Sequence, residues 1–200
     1  MADYATVAEV KASLSDAMPS SETQYDSLLA ALVTRASRYV DSITGRQSDA
    51  YAASASSARR FNGNNKQQLL IDEAAAITQV ESSDDGGVTW TAWNSADWHV
   101  VPYATPPHWA IGAEPMGSRG CFPKGSRNIR VTAIWGYSTA VPALITQCAV
   151  IQTVRWFKRG QSAFGDAFAN ADLGGLQFVK GIDPDIQTML FDGGFRRVAL

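Results

Sequence analysis

The sequence predicts a mainly α chain that carries a β-rich insertion, an α+β fold class. Apolar residues recur at steps of three and four near both ends of the chain, the spacing of helices that bury one face. Between those ends the period falls to two, most clearly over residues 127–137, as in a half-buried strand. The middle also holds Asp84-Asp85-Gly86-Gly87 and a cluster of prolines, residues that favour turns and interrupt helices.

Taken in order, Thr6-Val7-Ala8-Glu9 has the form of a capping box, and Val7, Val10 and Leu14 follow on one face of a short helix. Residues 16–21, with Pro19, break that helix. A longer one is predicted from about Ser21 to about Thr44, because Tyr25, Leu28, Leu29, Leu32, Ala36, Tyr39, Val40 and Ile43 keep helical spacing up to Gly45. Residues 47–60 are rich in Ser and Ala and read as a loop or weak helical link. Residues 68–71 and 76–80 read as two short strands, and residues 84–87 as the turn of a β-hairpin whose second arm is residues 88–93. Residues 98–101 read as a further strand. Pro102, Pro106, Pro107, Pro115 and Pro123 then make residues 101–126 a long irregular excursion.

Over residues 127–137, Ile129, Val131, Ala133 and Trp135 alternate with Arg130, Thr132 and Ile134. Pro142 opens a third helix, in which Leu144, Ile145, Cys148, Ile151, Gln152 and Trp156 share one face up to Lys158-Arg159-Gly160. The basic pair suits the negative end of the helix dipole. Residues 161–181 are rich in Gly and Ala and read as irregular, after which Asp183-Pro184 caps a last short helix with Ile186, Met189 and Leu190. The expected organisation is a discontinuous helical core of residues 1–46 and 137–192, a β-rich insertion of residues 60–136, and an extended tail of residues 193–200.

Composition bounds the function. The 200 residues are 46% hydrophobic and 18% charged with a net charge of -2, so the chain has the makeup of one elaborated folding unit and no pronounced charge to draw nucleic acid or membrane. No apolar run approaches the ~20 residues of a bilayer span, and the start lacks a signal-peptide pattern; a soluble protein made in the cytoplasm is expected. Cys121 and Cys148 are isolated thiols without a metal motif, expected to be one in a loop and one buried, although a disulfide between them stays open.

Chemistry is sparse. His99 and His108 have no carboxylate or thiol at ligand spacing, and the sequence contains no G-x-S-x-G, no phosphate-binding loop of the Walker type and no G-x-G-x-x-G. Asp72-Glu73, Asp84-Asp85 and Asp183-x-Asp185 fit turn and cap roles better than acid/base or calcium sites. No catalytic, cofactor-binding or metal-binding residue is expected, and the chain reads as a non-enzyme. Trp90, Trp93, Trp98 and Trp109 are the candidate interface aromatics, with filling of a small β core as the competing role. Stacking on bases is disfavoured because no basic residue interleaves with Trp90 to Trp109. Lys124, Arg127 and Arg130 form a local basic patch that suits a solvated face or a wall facing DNA.

Several stretches taken in order resemble the head-tail connector, or adaptor, proteins of long-tailed bacteriophages and gene transfer agents. These are the helix end Ile43-Thr44-Gly45-Arg46, Arg59-Arg60-Phe61-Asn62-Gly63, which the resemblance implies is a turn, the strand-to-helix junction Ile129-Arg130-Val131-Thr132-Ala133-Ile134-Trp135-Gly136-Tyr137 with Val141-Pro142, the helix end Trp156-Phe157-Lys158-Arg159, and Asp183-Pro184-Asp185-Ile186. The resemblance implies a small helical-bundle adaptor fold with inserted antiparallel strands and a hairpin. The tryptophan-rich residues 84–126 depart from it and mark an insertion particular to this chain.

The resemblance further implies a structural virion protein of the neck, assembled as a dodecameric ring beneath the portal protein. Such a ring extends the DNA channel, which DNA passes without sequence-specific contact, and offers its other face to a stopper or tail-completion protein. The tail Phe195, Arg196, Arg197, Val198, Ala199 and Leu200 is the expected portal-docking segment, with a frayed terminus as the alternative. Two other functions stay open: a different tail-completion or baseplate interaction protein, and a carbohydrate-binding virion domain built on the tryptophans.

Overall fold

Thr6 starts helix α1 (Val7–Ser13) in the computed structural model, which describes residues 2–14, 19, 21–161, 167–170, 175–178 and 182–195. The Thr6 hydroxyl accepts from the Glu9 amide at 3.2 Å, and the Glu9 carboxylate accepts from the Thr6 amide at 2.7 Å, so the capping box forms in full. The chain divides into two units, Met1–Asp49 with Val141–Leu200, and Ala50–Ala140.

The first unit is helical. Helix α2 (Asp26–Thr44) starts later than its apolar spacing predicts, since Lys11 draws the preceding segment onto α1, its ammonium donating to the Glu22 carbonyl and pairing with Asp26, each at 2.5 Å. It ends where Gly45 takes a left-handed φ of 71°. Leu29, Val33, Ala36 and Val40 form its fully buried stripe. Helix α3 (Ala143–Gln161) answers with Ile145, Cys148, Ala149 and Phe157, and ring contacts between Tyr25 and Phe157 at 5.5 Å and between Tyr39 and Trp156 at 5.4 Å join the two helices. Helix α4 (Pro184–Phe191) is capped by Asp183, which accepts from the Asp185 amide at 3.0 Å, and buries Ile186 and Leu190.

The second unit is an antiparallel sheet in the order β1-β6-β2-β5-β4, with β3 appended to β2. Its strands are β1 (Ser56–Gly63), β2 (Gln68–Ser82), β3 (Thr91–Ala92), β4 (Trp98–Val101), β5 (His108–Ala113) and β6 (Gly125–Trp135). The core lies on one face, where Val80, Ile111, Phe122, Ile129, Val131 and Ala133 are fully buried. An α+β fold is what the periodicities predict.

Four local expectations change. Ser56 to Arg60, read as part of a link, is strand: β6 supplies its partners from Ser56↔Ile134 to Phe61↔Ile129, so pairing overrides a weak local propensity. The Arg59 to Gly63 stretch, expected as a turn, closes the same strand, and Gly63 is pressed so close to the Pro123 carbonyl that no Cβ fits. The two short strands over residues 68–80 are one, because bulges between Leu70 and Ala74, Ala74 and Ala76, and Ile77 and Gln79 break the period of two while β2 passes from β5 to β6. Strand β5 crosses the predicted irregular excursion; its residues other than Trp109 are buried, so no alternation betrays it.

Two further differences concern hairpins. The arm predicted over residues 88–93 keeps only the pairs Glu81↔Ala92 and Ser82↔Thr91. Asp85 explains this, since its carboxylate accepts the amides of Val88 at 3.0 Å and Thr89 at 2.9 Å and withdraws them from the ladder. Within residues 161–181, read as irregular, β7 (Ala167–Asn170) and β8 (Gly175–Phe178) form a separate two-stranded sheet that belongs to the first unit.

Candidate functional site

The described side chains build a cation-π cluster on the sheet unit and an apolar groove in the helical unit. Among the described residues no group of three or more His, Cys, Asp or Glu side chains stands ready to hold a metal ion, and no helix is long and apolar enough to cross a membrane. His99 sits 2.6 Å from Glu114, and the His108 ring contacts the Pro102 carbonyl at 2.9 Å. Cys148 is buried, and that burial pushes its thiol up to about 11. Cys121 and Cys148 are both free thiols.

The four candidate tryptophans occupy different environments. Trp93 is core: its ring stacks on Phe122 at 4.9 Å and its indole N–H donates to the Ser82 hydroxyl at 3.0 Å. Trp98 packs, partly buried, against the same core, while Trp109 is 38% exposed on β5. Trp90 is clamped between the guanidinium groups of Arg60 at 5.1 Å and Arg130 at 4.5 Å.

Sequence reasoning missed that clamp. Arg60, Arg130 and Glu81 are cross-strand neighbours on β1, β6 and β2, so basic residues meet the tryptophan in space although none interleaves with it in the chain. Glu81 holds Arg130 through two contacts of 2.5 and 2.6 Å, which raises the Arg130 pKa and removes that arginine from the expected basic patch. Lys124 and Arg127 remain exposed. The residue alternation of 127–137 was the only signal of this arrangement available in the chain.

Exposed apolar groups of the sheet unit stand mostly on loops. Met116 is 99% exposed, and Tyr103 and Val88 are likewise open to solvent. The loop bearing Met116 is held by Asp97, whose carboxylate accepts the Ser118 amide at 2.7 Å and the Ser118 hydroxyl at 2.8 Å. Those donors hold Asp97 below the usual carboxylate range, and the Thr89 and Ser83 donors do the same for Asp85. A carboxylate with a depressed folded pKa contributes stability in full above its unfolded value, near 4, and loses it as pH falls further. The denaturation midpoint of the protein, followed from pH 6 to pH 2, should therefore fall less steeply in Asp85→Asn than in the native chain.

The helical unit offers an apolar groove of 660 Å³ between α2 and α3. Tyr25, Leu28, Leu32, Trp156 and Phe157 line it, with Arg35 and Arg159 also in its wall. Leu28 remains 47% exposed, whereas its spacing in the chain assigns it to the buried stripe. The expected docking tail begins differently from its sequence reading. Phe195 is buried, its amide donates to the Leu190 carbonyl at 3.0 Å, and Arg46 donates to its carbonyl, so Phe195 serves the chain's own core. Arg196, Arg197, Val198, Ala199 and Leu200 lie outside the described residues.

The architecture as a whole has solved counterparts. It matches a chain from the neck of an empty gene transfer agent particle computed with C6 symmetry, with a TM-score of 0.57 at 13% identity over 97% of this chain and 90% of that one. This chain shares its fold with a gene transfer agent neck protein. A chain from the virion of a native gene transfer agent particle matches with a TM-score of 0.53 at 16% identity, again over 97% of this chain and 90% of the other. No protein-family model and no curated protein matches the sequence. At such low identity the likeness is one of fold, and the resemblance to connector proteins drawn from short stretches of sequence meets a matching architecture in a neck.

Proposed function

We propose that the protein is a structural subunit of a virion neck, a head-tail connector that forms a ring on the portal protein and lengthens the DNA channel. The observation that carries this reading is the fold shared with a gene transfer agent neck chain over 97% of the present one. The lower face of the ring receives a stopper or tail-completion protein, and the work of the subunit is mechanical. Twelve copies are proposed, a number compatible with the C6 symmetry applied to the neighbouring neck structure. With Phe195 retained by the core, docking on the portal falls to residues 196–200, where Val198 and Leu200 supply apolar contacts and Arg196 and Arg197 charged ones.

Co-expression with the cognate portal protein, followed by electron microscopy of the purified material, tests the reading. The full chain is expected to form a ring stacked on the portal, and a chain ending at Phe195 is expected to lose it. A full chain that never associates with portal sinks the proposal. A chain ending at Phe195 that still binds as well as the full one removes the docking role from the tail alone.

A further inference from the structure

A closed ring of identical subunits needs two different, complementary patches on each copy, one that receives and one that enters. The helical unit supplies the receiving patch, the groove between α2 and α3. Its wall is apolar along Tyr25, Leu28, Leu32, Trp156 and Phe157, and no carboxylate lies among its lining residues. Arg35, also in that wall, is exposed and takes part in none of the ion pairs among the described residues.

The sheet unit supplies the entering patch. Glu114 to Gly117 is a tight turn, closed by the Gly117 amide donating to the Glu114 carbonyl at 3.0 Å, with Pro115 and Met116 at its tip. Asp97 braces it on both sides: its carbonyl accepts the Glu114 amide at 2.9 Å, and its carboxylate accepts the Ser118 amide at 2.7 Å. The turn therefore presents Met116, 99% exposed, on a fixed base, and a knob that is already ordered loses little backbone entropy on docking.

The two patches match in chemistry. An unbranched thioether fills irregular apolar space and makes favourable contacts with ring edges, and Tyr25, Trp156 and Phe157 place three rings in the groove. At the start of the same turn, the Glu114 carboxylate is 41% exposed although His99 meets one of its oxygens at 2.6 Å, which leaves acceptor capacity for a cation. Arg35 is such a cation in the groove wall. Val88, the other exposed apolar group next to carboxylates, is short and branched, and the Asp85 carboxylate is spent on the amides of Val88 and Thr89.

We infer that Met116 of one copy seats in the α2/α3 groove of the next copy, with Glu114 toward Arg35, and that this contact joins neighbouring subunits. The inference rests on the ring proposed above and names the contact that closes it.

The test mixes two full-length chains, Ala31→Cys and Pro115→Cys, each with Cys121→Ser, with and without co-expressed portal protein. Both positions are exposed, Ala31 one turn from Leu28 and Arg35 on α2 and Pro115 next to Met116, so the groove and the knob stay intact. Cys148 is buried away from oxidant. After mild oxidation, mass spectrometry should find a disulfide between residues 31 and 115 of different chains. Met116→Ala or Arg35→Glu should cut its yield about tenfold, and Met116→Leu should keep it. Rings on portal without that inter-chain disulfide overturn the contact and leave the connector reading standing. The disulfide without rings on portal supports the contact and sinks the connector reading; the absence of both sinks both. A disulfide formed with Val88→Cys and not with Pro115→Cys gives the groove to the hairpin turn and overturns the inference. In a chain bearing both Ala31→Cys and Pro115→Cys, a disulfide closed only within one chain overturns it as well.

Discussion

Asp41→Ala should destabilise the helical unit by about 3–5 kcal/mol, the loss expected when one partner leaves a buried ionic network. The Asp41 carboxylate is 3% exposed. It accepts the Tyr4 hydroxyl at 2.5 Å and the Asp49 amide at 3.3 Å, and stands 3.2 Å from the Arg38 guanidinium. Arg38 in turn donates to the Ala2 carbonyl at 2.6 Å and pairs with Asp49 at 2.7 Å, so the network ties the start of the chain and the segment after α2 to the helix between them. Alanine would remove the acceptor that the Tyr4 hydroxyl meets at 2.5 Å and one of the two carboxylates beside the Arg38 guanidinium, in a place where water is scarce.

Desolvation pushes the Asp41 carboxyl above its ordinary pKa, against the pull of Tyr4 and Arg38. In the window between the unfolded and the raised folded pKa, the folded state holds more proton, so stability from this group falls as pH rises through it. That is opposite in sign to Asp85. Asp41→Asn keeps an acceptor for Tyr4, loses the attraction for Arg38 and abolishes the pH term, and should fall between native and Asp41→Ala. Urea unfolding followed by Trp156, the only tryptophan of the helical unit, measures all three chains.

Phe122→Ala should cost the sheet unit about 3–5 kcal/mol, the range for deleting a buried aromatic ring. Phe122 is fully buried and stacks on Trp93 with an interplanar angle of 14°. Its own backbone is pinned, the amide donating to the Lys66 carbonyl and the carbonyl accepting the Asn65 amide, both at 2.9 Å, so the segment has little freedom to collapse into the cavity. Phe122→Leu should cost less, since it refills most of the volume. Denaturant unfolding read by tryptophan fluorescence checks both, because removal of the ring also exposes the Trp93 indole face.

The helices were legible because their signals are local. Thr6 and Glu9, Gly45, and Asp183 with Pro184 act within one turn of the backbone, and the apolar spacing of α2 and α3 recurs every three or four residues. The strand β6 was legible for the same kind of reason, since one buried face imposes a period of two. The turn at Asp85 was also readable, but its consequence was not: the carboxylate competes with the ladder for the amides of Val88 and Thr89, an outcome that depends on side-chain placement.

What the sequence by itself determined, then, is the α+β class, the positions of the four helices, the strand β6 and the short stretches that resemble connector proteins. Only the tertiary structure decided that Ser56 to Arg60 is strand, that β2 is continuous through its bulges, and that β5 crosses a proline-rich stretch. It also decided the surfaces: Trp93 went to the core, Trp90 into a clamp of two arginines, Phe195 against its own unit, and Leu28 into an open groove. The physical reason is range. A helix closes its hydrogen bonds four residues away, whereas a strand, a clamp or a groove takes its partners from residues tens of positions distant, and periodicity in one segment carries no information about which partner arrives.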